Sequence, residues 1–140
     1  MQNDTSFLNG LPPRDVDLWK AQAEFNADRV LVVVDKPNTT PAPTAAAWSI
    51  SVPFRLVGEN TGLTIPYTGL VGVAASDTSS AGTASVPAAT LEVVLGRGVA
   101  TLNGDAAAWL NSETAVLTLT YTNLRGGTDT DAFTATFTTP

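Results

Sequence analysis

Between Trp48 and Leu56 every second residue is apolar and large: Trp48, Ile50, Val52, Phe54 and Leu56 alternate with Ser49, Ser51, Pro53 and Arg55. The same period of two returns at Ala115, Leu117, Leu119 and Tyr121, set against Val116, Thr118, Thr120 and Thr122. It returns again at Phe133, Ala135 and Phe137, set against Thr134, Thr136 and Thr138. Only an extended backbone puts residues i, i+2 and i+4 on one face. A chain with this pattern is built for sheets with one apolar face and one wet, Thr-rich face, as antiparallel sheets have.

The rest of the chain is cut into short pieces of the same kind. Val30–Val34 is aliphatic and β-branched, and it ends at the turn-prone Asp35-Lys36-Pro37-Asn38. Thr39 to Ala47, with Pro41 and Pro43, reads as an extended connector. Pro53 cannot donate to a ladder, which predicts an edge or a bulge. After the turn Glu59-Asn60-Thr61-Gly62, the residues Leu63, Ile65, Tyr67, Val71 and Val73 continue the alternation, with a break near Gly69. Residues 74–90 have loop composition, and a loop of that length needs an explanation. It is either a crossover between sheets that hides a short strand, or a contact loop. Leu91, Val93 and Leu95 resume the strand pattern, Gly96-Arg97-Gly98 makes a turn or bulge, and Val99–Leu102 is short and extended. Ala106–Leu110 reads as one helical turn carrying Trp109 inward, and Asn123 to Asp131 as a polar loop. Seven or eight short strands with turn signals between them make a β-sandwich, with Trp48, Phe54, Leu117, Phe133 and Phe137 in its core.

This assigns residues 29–140 to an all-β sandwich domain and residues 1–28 to an N-terminal arm. Pro12-Pro13 and the polar residues around it discourage regular structure in residues 1–14, yet Phe7, Leu8 and Leu11 are apolar. They suit either a frayed terminus or an arm that docks on a neighbouring subunit. Residues 15–28 fit two periods. Val16, Trp19 and Ala23 make a helical face, whereas Trp19, Ala21, Ala23, Phe25 and Ala27 alternate as a strand would. The Ala, Glu and Gln content favours a short helix.

Composition removes much chemistry. The 140 residues contain no Cys and no His, which excludes disulfides, Cys–His and Ser–His–Asp catalysis and imidazole metal sites. Seven Lys and Arg stand singly against thirteen acids, for a net charge of −6. No basic stripe exists to neutralise phosphates, so neither nucleic acid nor an anionic membrane is an expected partner. No segment is apolar over the length a bilayer requires. No basic region leads into an apolar run at the start, and if Met1 is the native start, folding in a cytoplasm is expected. Only 14% of residues are charged, so Thr, Ser and Asn must supply the polar surface, as in proteins that pack into assemblies or are secreted.

The remaining polar motifs are thin. Asp129 and Asp131 form an Asp-x-Asp pair near Gly126-Gly127. Calcium sites cluster more ligands than this, and the expectation is a solvated loop without metal or other cofactor. Thirteen acids offer many pairs, but no spacing marks two as the flanking carboxylates of a glycosidase, and no enzyme is expected. The Asn-x-Thr patterns at Asn3 and Asn38 read as chance. Of the three tryptophans, Trp48 and Trp109 read as core. Trp19 lies outside the strand pattern and suits either exposure or packing against the sandwich.

The stretch from Val99 to Phe137 resembles the last three strands of an immunoglobulin-like domain, without the Cys pair of antibody domains. Tyr121 lies late in its strand, away from the position of a tyrosine corner. A small, acidic, Thr- and Ala-rich sandwich with a Pro-containing arm is also similar to virion proteins of tailed bacteriophages, such as capsid decoration or tail-associated domains. The resemblance implies a non-enzymatic structural protein of a virion, made in the host cytoplasm. It would work through protein–protein contacts with other virion proteins or copies of itself, as a homo-oligomer in an assembly. On this reading Phe7, Leu8, Leu11 and Trp19 are the partner-binding residues. The alternative, from the sandwich and its tryptophans, is a carbohydrate-binding or adhesion domain.

Overall fold

A computed structural model describes residues 29–37, 39–124 and 126–139. Eight strands follow in chain order: β1 Val30–Val34, β2 Trp48–Gly58, β3 Gly69–Asp77, β4 Ala84–Ser85, β5 Thr90–Val93, β6 Arg97–Gly104, β7 Thr114–Thr122 and β8 Thr128–Thr136. They form two four-stranded sheets, β1-β2-β6-β4 and β5-β3-β7-β8, in which every pairing is antiparallel. The described residues contain no helix.

The alternation does what the sequence requires of it. On β2, Ile50, Val52, Phe54 and Leu56 are buried while Ser49, Ser51 and Pro53 are exposed. On β7, Ala115, Leu117, Leu119 and Tyr121 face inward, and the threonines between them lie at the surface. These rows meet Val30, Val32 and Val34 of β1, Ala100 and Leu102 of β6, Val71 and Val73 of β3, and Phe133 and Ala135 of β8 in one core. Burying a side chain of this kind contributes about 1.5–3 kcal/mol, so two filled inner faces are enough to hold the layers together.

Several expectations need correction. Pro53 is in the central strand β2, between β1 and β6, and not at an edge. It is tolerated because its peptide faces the place where β1 has ended: its carbonyl accepts from the Asp35 N–H at 2.9 Å, one residue past Val34. The second alternating run does not begin at Leu63. Leu63 is exposed, and β3 starts only at Gly69. Pro66 interrupts the run, and Tyr67 turns back so that its hydroxyl bonds the Leu70 backbone N–H at 3.1 Å. Residues 74–90 are, by contrast, the expected crossover between sheets with a short strand hidden in it: β3 continues to Asp77 in one sheet, and β4 lies in the other. Ala106–Leu110 makes no helical turn. Trp109 is buried there by pairing its backbone with Thr44 in an isolated bridge. Leu95 is not on the inward row either, and β8 begins at Thr128, three residues before the end of the expected loop.

Candidate interaction surface

Five of the eight carboxylates among the described residues accept backbone N–H bonds. Asp129 and Asp131 stand opposite Tyr121 and Leu119, in phase with the inward Phe133 and Ala135. There they meet the outer edge of β1, the edge strand of the other sheet. Asp129 Oδ2 accepts the Val32 N–H at 2.9 Å, and Asp131 Oδ2 accepts the Val34 N–H at 2.8 Å. The Arg29 guanidinium adds a bond to Asp129 Oδ1 at 3.3 Å. The Asp-x-Asp pair is therefore a staple between sheets and not a solvated loop. A carboxylate that accepts a backbone N–H is roughly twice as strong an acceptor as a neutral group. It also blocks the row of free amides that makes an edge strand sticky.

The same device recurs on the opposite flank and at one end. Asp77 Oδ2 accepts the Ala84 N–H and Asp105 Oδ1 the Thr83 N–H, both at 2.8 Å, which closes the two-residue edge strand β4. Glu113 gathers the loops: it accepts the Leu110 N–H at 2.7 Å, the Ser80 N–H at 3.0 Å and the Ser79 hydroxyl at 3.1 Å. The backbone N–H groups of Leu110 and then of Ser80 stabilise its charged form and hold its carboxyl below the usual glutamate range. Among the described residues no three His, Cys, Asp or Glu side chains are arranged to hold a metal ion. Among the described residues there is no helix long and apolar enough to cross a membrane.

The end that holds the start of β2 carries the aromatic cluster. Trp109 stacks on Phe137 with ring centroids 5.1 Å apart, and Trp48 meets both rings edge-on. Gly82 and Gly104 are required here, because a Cβ at either would overlap the indole of Trp109 or Trp48. Trp109 is 1% exposed and so has no face to offer a sugar ring.

The opposite end is built differently. It holds Arg29, the loop after β2, the start of β3, the β5–β6 hairpin and the β7–β8 loop, as the strand registers require. Leu63, Leu70, Val94, Leu95 and Leu124 are all there, which is five of the seven large apolar residues that are more than half exposed among the described residues. The hairpin closes on two residues, Leu95 and Gly96, with φ of 50° and 80° and with reciprocal Val94–Arg97 backbone bonds of 3.0 and 3.1 Å. Two consecutive positive φ values define a turn that normally takes Asn-Gly or Asp-Gly. Gly96 fits, and a Cβ there would overlap the Ile65 carbonyl. Leu95 is a γ-branched residue in the left-handed region, at a cost of about 1–2 kcal/mol, and its side chain is 60% exposed. The turn is held rigidly nonetheless: Gly96 donates to the Tyr67 carbonyl at 2.7 Å and accepts from the Leu56 N–H at 2.8 Å, and the Leu95 N–H reaches the Thr68 hydroxyl at 3.2 Å.

Between the sheets, Val73, Pro87, Leu91 and Val99 line a cleft of about 70 Å³. Sites for small organic ligands are roughly 300–1,000 Å³, so this cleft is too small for one. The four residues singled out from the sequence for partner binding, Phe7, Leu8, Leu11 and Trp19, lie outside the described residues, as do Asn3 and Asn38. Sequence reasoning missed the exposed Leu63, Leu70, Val94 and Leu95, because Leu63 and Leu95 fall in step with buried rows. The available signal was Leu95-Gly96 itself, a two-residue hairpin position with the wrong first residue. No family model, curated protein or solved structure matches this chain.

Proposed function

We propose that the protein is a non-enzymatic structural component of a virion, a capsid decoration or tail-associated protein of a bacteriophage. It acts through protein–protein contacts with other virion proteins or copies of itself, and it is made in the host cytoplasm. The virion assignment rests on the resemblance in composition and arm described above. The contact role is carried by one observation: five of the seven exposed large aliphatic residues among those described gather at one end of the sandwich. That is the end at which Arg29 joins the first 28 residues to β1. Apolar patches on a soluble surface mark contact sites. The arm brings its own anchors, Phe7, Leu8, Leu11 and Trp19. A few such residues supply most of the energy of an interface.

The immunoglobulin-like reading is supported by the strand orders. In constant-type domains the two sheets are ABED and CFG. Here β1, β2, β6 and β4 stand in the order of A, B, E and D, and β3, β7 and β8 in that of C, F and G. The departure is β5, an added strand beside β3. The carboxylates support a non-enzymatic role, since Asp77, Asp105, Glu113, Asp129 and Asp131 all accept backbone N–H bonds. The carbohydrate-binding alternative loses Trp109 to the core.

The test is deletion of residues 1–14. The shortened chain is expected to melt within a few degrees of the full chain and to lose assembly, followed by sedimentation velocity. A shortened chain that unfolds would place the arm in the core. One that assembles normally would remove the arm from the contact.

A further inference from the structure

We infer that the apolar end formed by Leu63, Leu70, Val94 and Leu95 is a receiving site, and that its occupant is the Phe7–Leu11 segment of a second copy of this chain. The inference rests on the arm-mediated contact proposed above and names the surface that the arm meets.

Four observations converge on it. The first is local cost. A chain that needed only a tight turn at Leu95-Gly96 would place Asn or Asp at the first position, where a short polar side chain tolerates positive φ. This chain holds a leucine there at φ 50° and leaves it exposed. Strain kept at an exposed position points to a role for the side chain itself. The second is preorganisation. The hairpin is fixed to residues 65–68 by the bonds of Gly96 and Leu95, so Leu95 is presented on a rigid platform and little ordering is needed on binding.

The third is continuity. Leu70 lies opposite Glu92 in the β3–β5 ladder, so Leu70 and Val94 share the outer face of that corner. Thr64, next to Leu63, lies against Gly96, next to Leu95. The four side chains thus border one hairpin. The fourth is reach. Eighteen positions separate Leu11 from Arg29, which spans up to about 60 Å when extended. A domain of this size is about 35 Å across, from a radius of gyration near 13 Å. The anchors are therefore far enough from Arg29 to span to a neighbour's hairpin. Within the described domain Leu63, Leu70, Val94 and Leu95 are 53–68% exposed, an apolar surface that no described segment covers. An arm reaching from one copy to the next makes a head-to-tail contact, and such contacts close into rings or continue as arrays. Arg97, beside the turn, has no ion-pair partner within the described fold and is exposed. Asp4, Asp15 and Asp17 give the first 28 residues a charge of the opposite sign.

The experiment uses the full chain and its Leu95→Asn and Leu63→Ser variants, each followed by sedimentation velocity across a concentration series and by thermal melting. Leu95→Asn puts the preferred residue into the turn, so its melting temperature should equal or exceed that of the wild type. Its self-association should weaken at least about tenfold, the effect of losing one interface anchor. Leu63→Ser should weaken association likewise without unfolding. Wild-type strength in Leu95→Asn would overturn the inference. If deletion of residues 1–14 abolishes association while Leu95→Asn does not, the arm reading stands and its receiving surface lies elsewhere. If Leu95→Asn abolishes association and the deletion does not, the apolar ends pair with each other and the arm is not the occupant. If neither change matters, both readings fail.

Discussion

Replacing Asp131 with alanine should detach one point of the joint between the two sheets. The wild-type carboxylate accepts the Val34 N–H at 2.8 Å through one oxygen and the Ala132 N–H at 2.9 Å through the other. The Val34 bond spans the sheets, is partly buried, and has no strand on that side to replace it, because β2 lies on the other flank of β1. A hydrogen bond to a charged group contributes about 1.5–3 kcal/mol, and a buried donor left unpaired costs about 1–3 kcal/mol. Water reaches a partly buried edge after the substitution, so the lower half of the range of about 1–3 kcal/mol applies, and Asp131→Ala should cost about 1–2 kcal/mol. Asp131→Asn keeps a carbonyl acceptor of the same shape and should cost less than half as much. Asp129→Ala should fall between the two. Its Arg29 ion pair adds little because the guanidinium side chain is 56% exposed. Urea unfolding gives these differences as shifts in midpoint at constant slope. Amide exchange supplies the local readout: protection at Val34 should drop selectively in Asp131→Ala, and at Val32 in Asp129→Ala. A change below about 0.5 kcal/mol, the ordinary range for a surface substitution, together with unchanged exchange at Val34, would refute the assignment of this pair as the inter-sheet staple.

Two further outcomes follow from the same contacts. Leu119→Ala should destabilise by about 2–5 kcal/mol as a core truncation, and Thr118→Ala, its outward neighbour, by less than about 1 kcal/mol; equal effects in denaturant melts would reverse the facing of β7. Glu113 has its carboxyl lowered from the ordinary value of 4.5 by the backbone N–H groups of Leu110 and Ser80. Its stabilising contribution is therefore complete above the unfolded value and is lost as pH falls through the folded one. Melting followed from pH 7 to pH 3 should show a decline below about pH 4.5 that is shallower in Glu113→Gln; parallel curves would show that Glu113 plays no part.

The strands were legible where one face is dry and the other wet. β2 and β7 are continuous alternations, and β8 repeats the pattern from Phe133 onward, so the all-β sandwich could be read directly. The errors share a physical cause: period two reports an extended backbone but not what an inward position meets. Leu63 and Leu95 keep the phase of buried rows, yet they fall where the chain turns out of the sheets at Pro66 and at Leu95-Gly96. Asp129 and Asp131 also keep the phase, and polarity suggested a loop. Their inward position holds a carboxylate because what lies opposite is the amide edge of β1, a contact between strands almost a hundred residues apart. Trp109 was expected to point inward and does so, but from a bridge to Thr44 and not from a helical turn. The interaction surface was the least legible part, since exposure of an aliphatic side chain depends on where neighbouring loops run.

On the proposed function, this sandwich works by contact between copies through its apolar end and the first 28 residues. The measurement that bears on it most directly is sedimentation equilibrium of the full chain from micromolar to near-millimolar concentration. Contact between copies predicts a weight-average mass that rises with concentration above the 14.5 kDa of one chain and returns to it in Leu95→Asn. A mass that stays at 14.5 kDa over the whole range would contradict it.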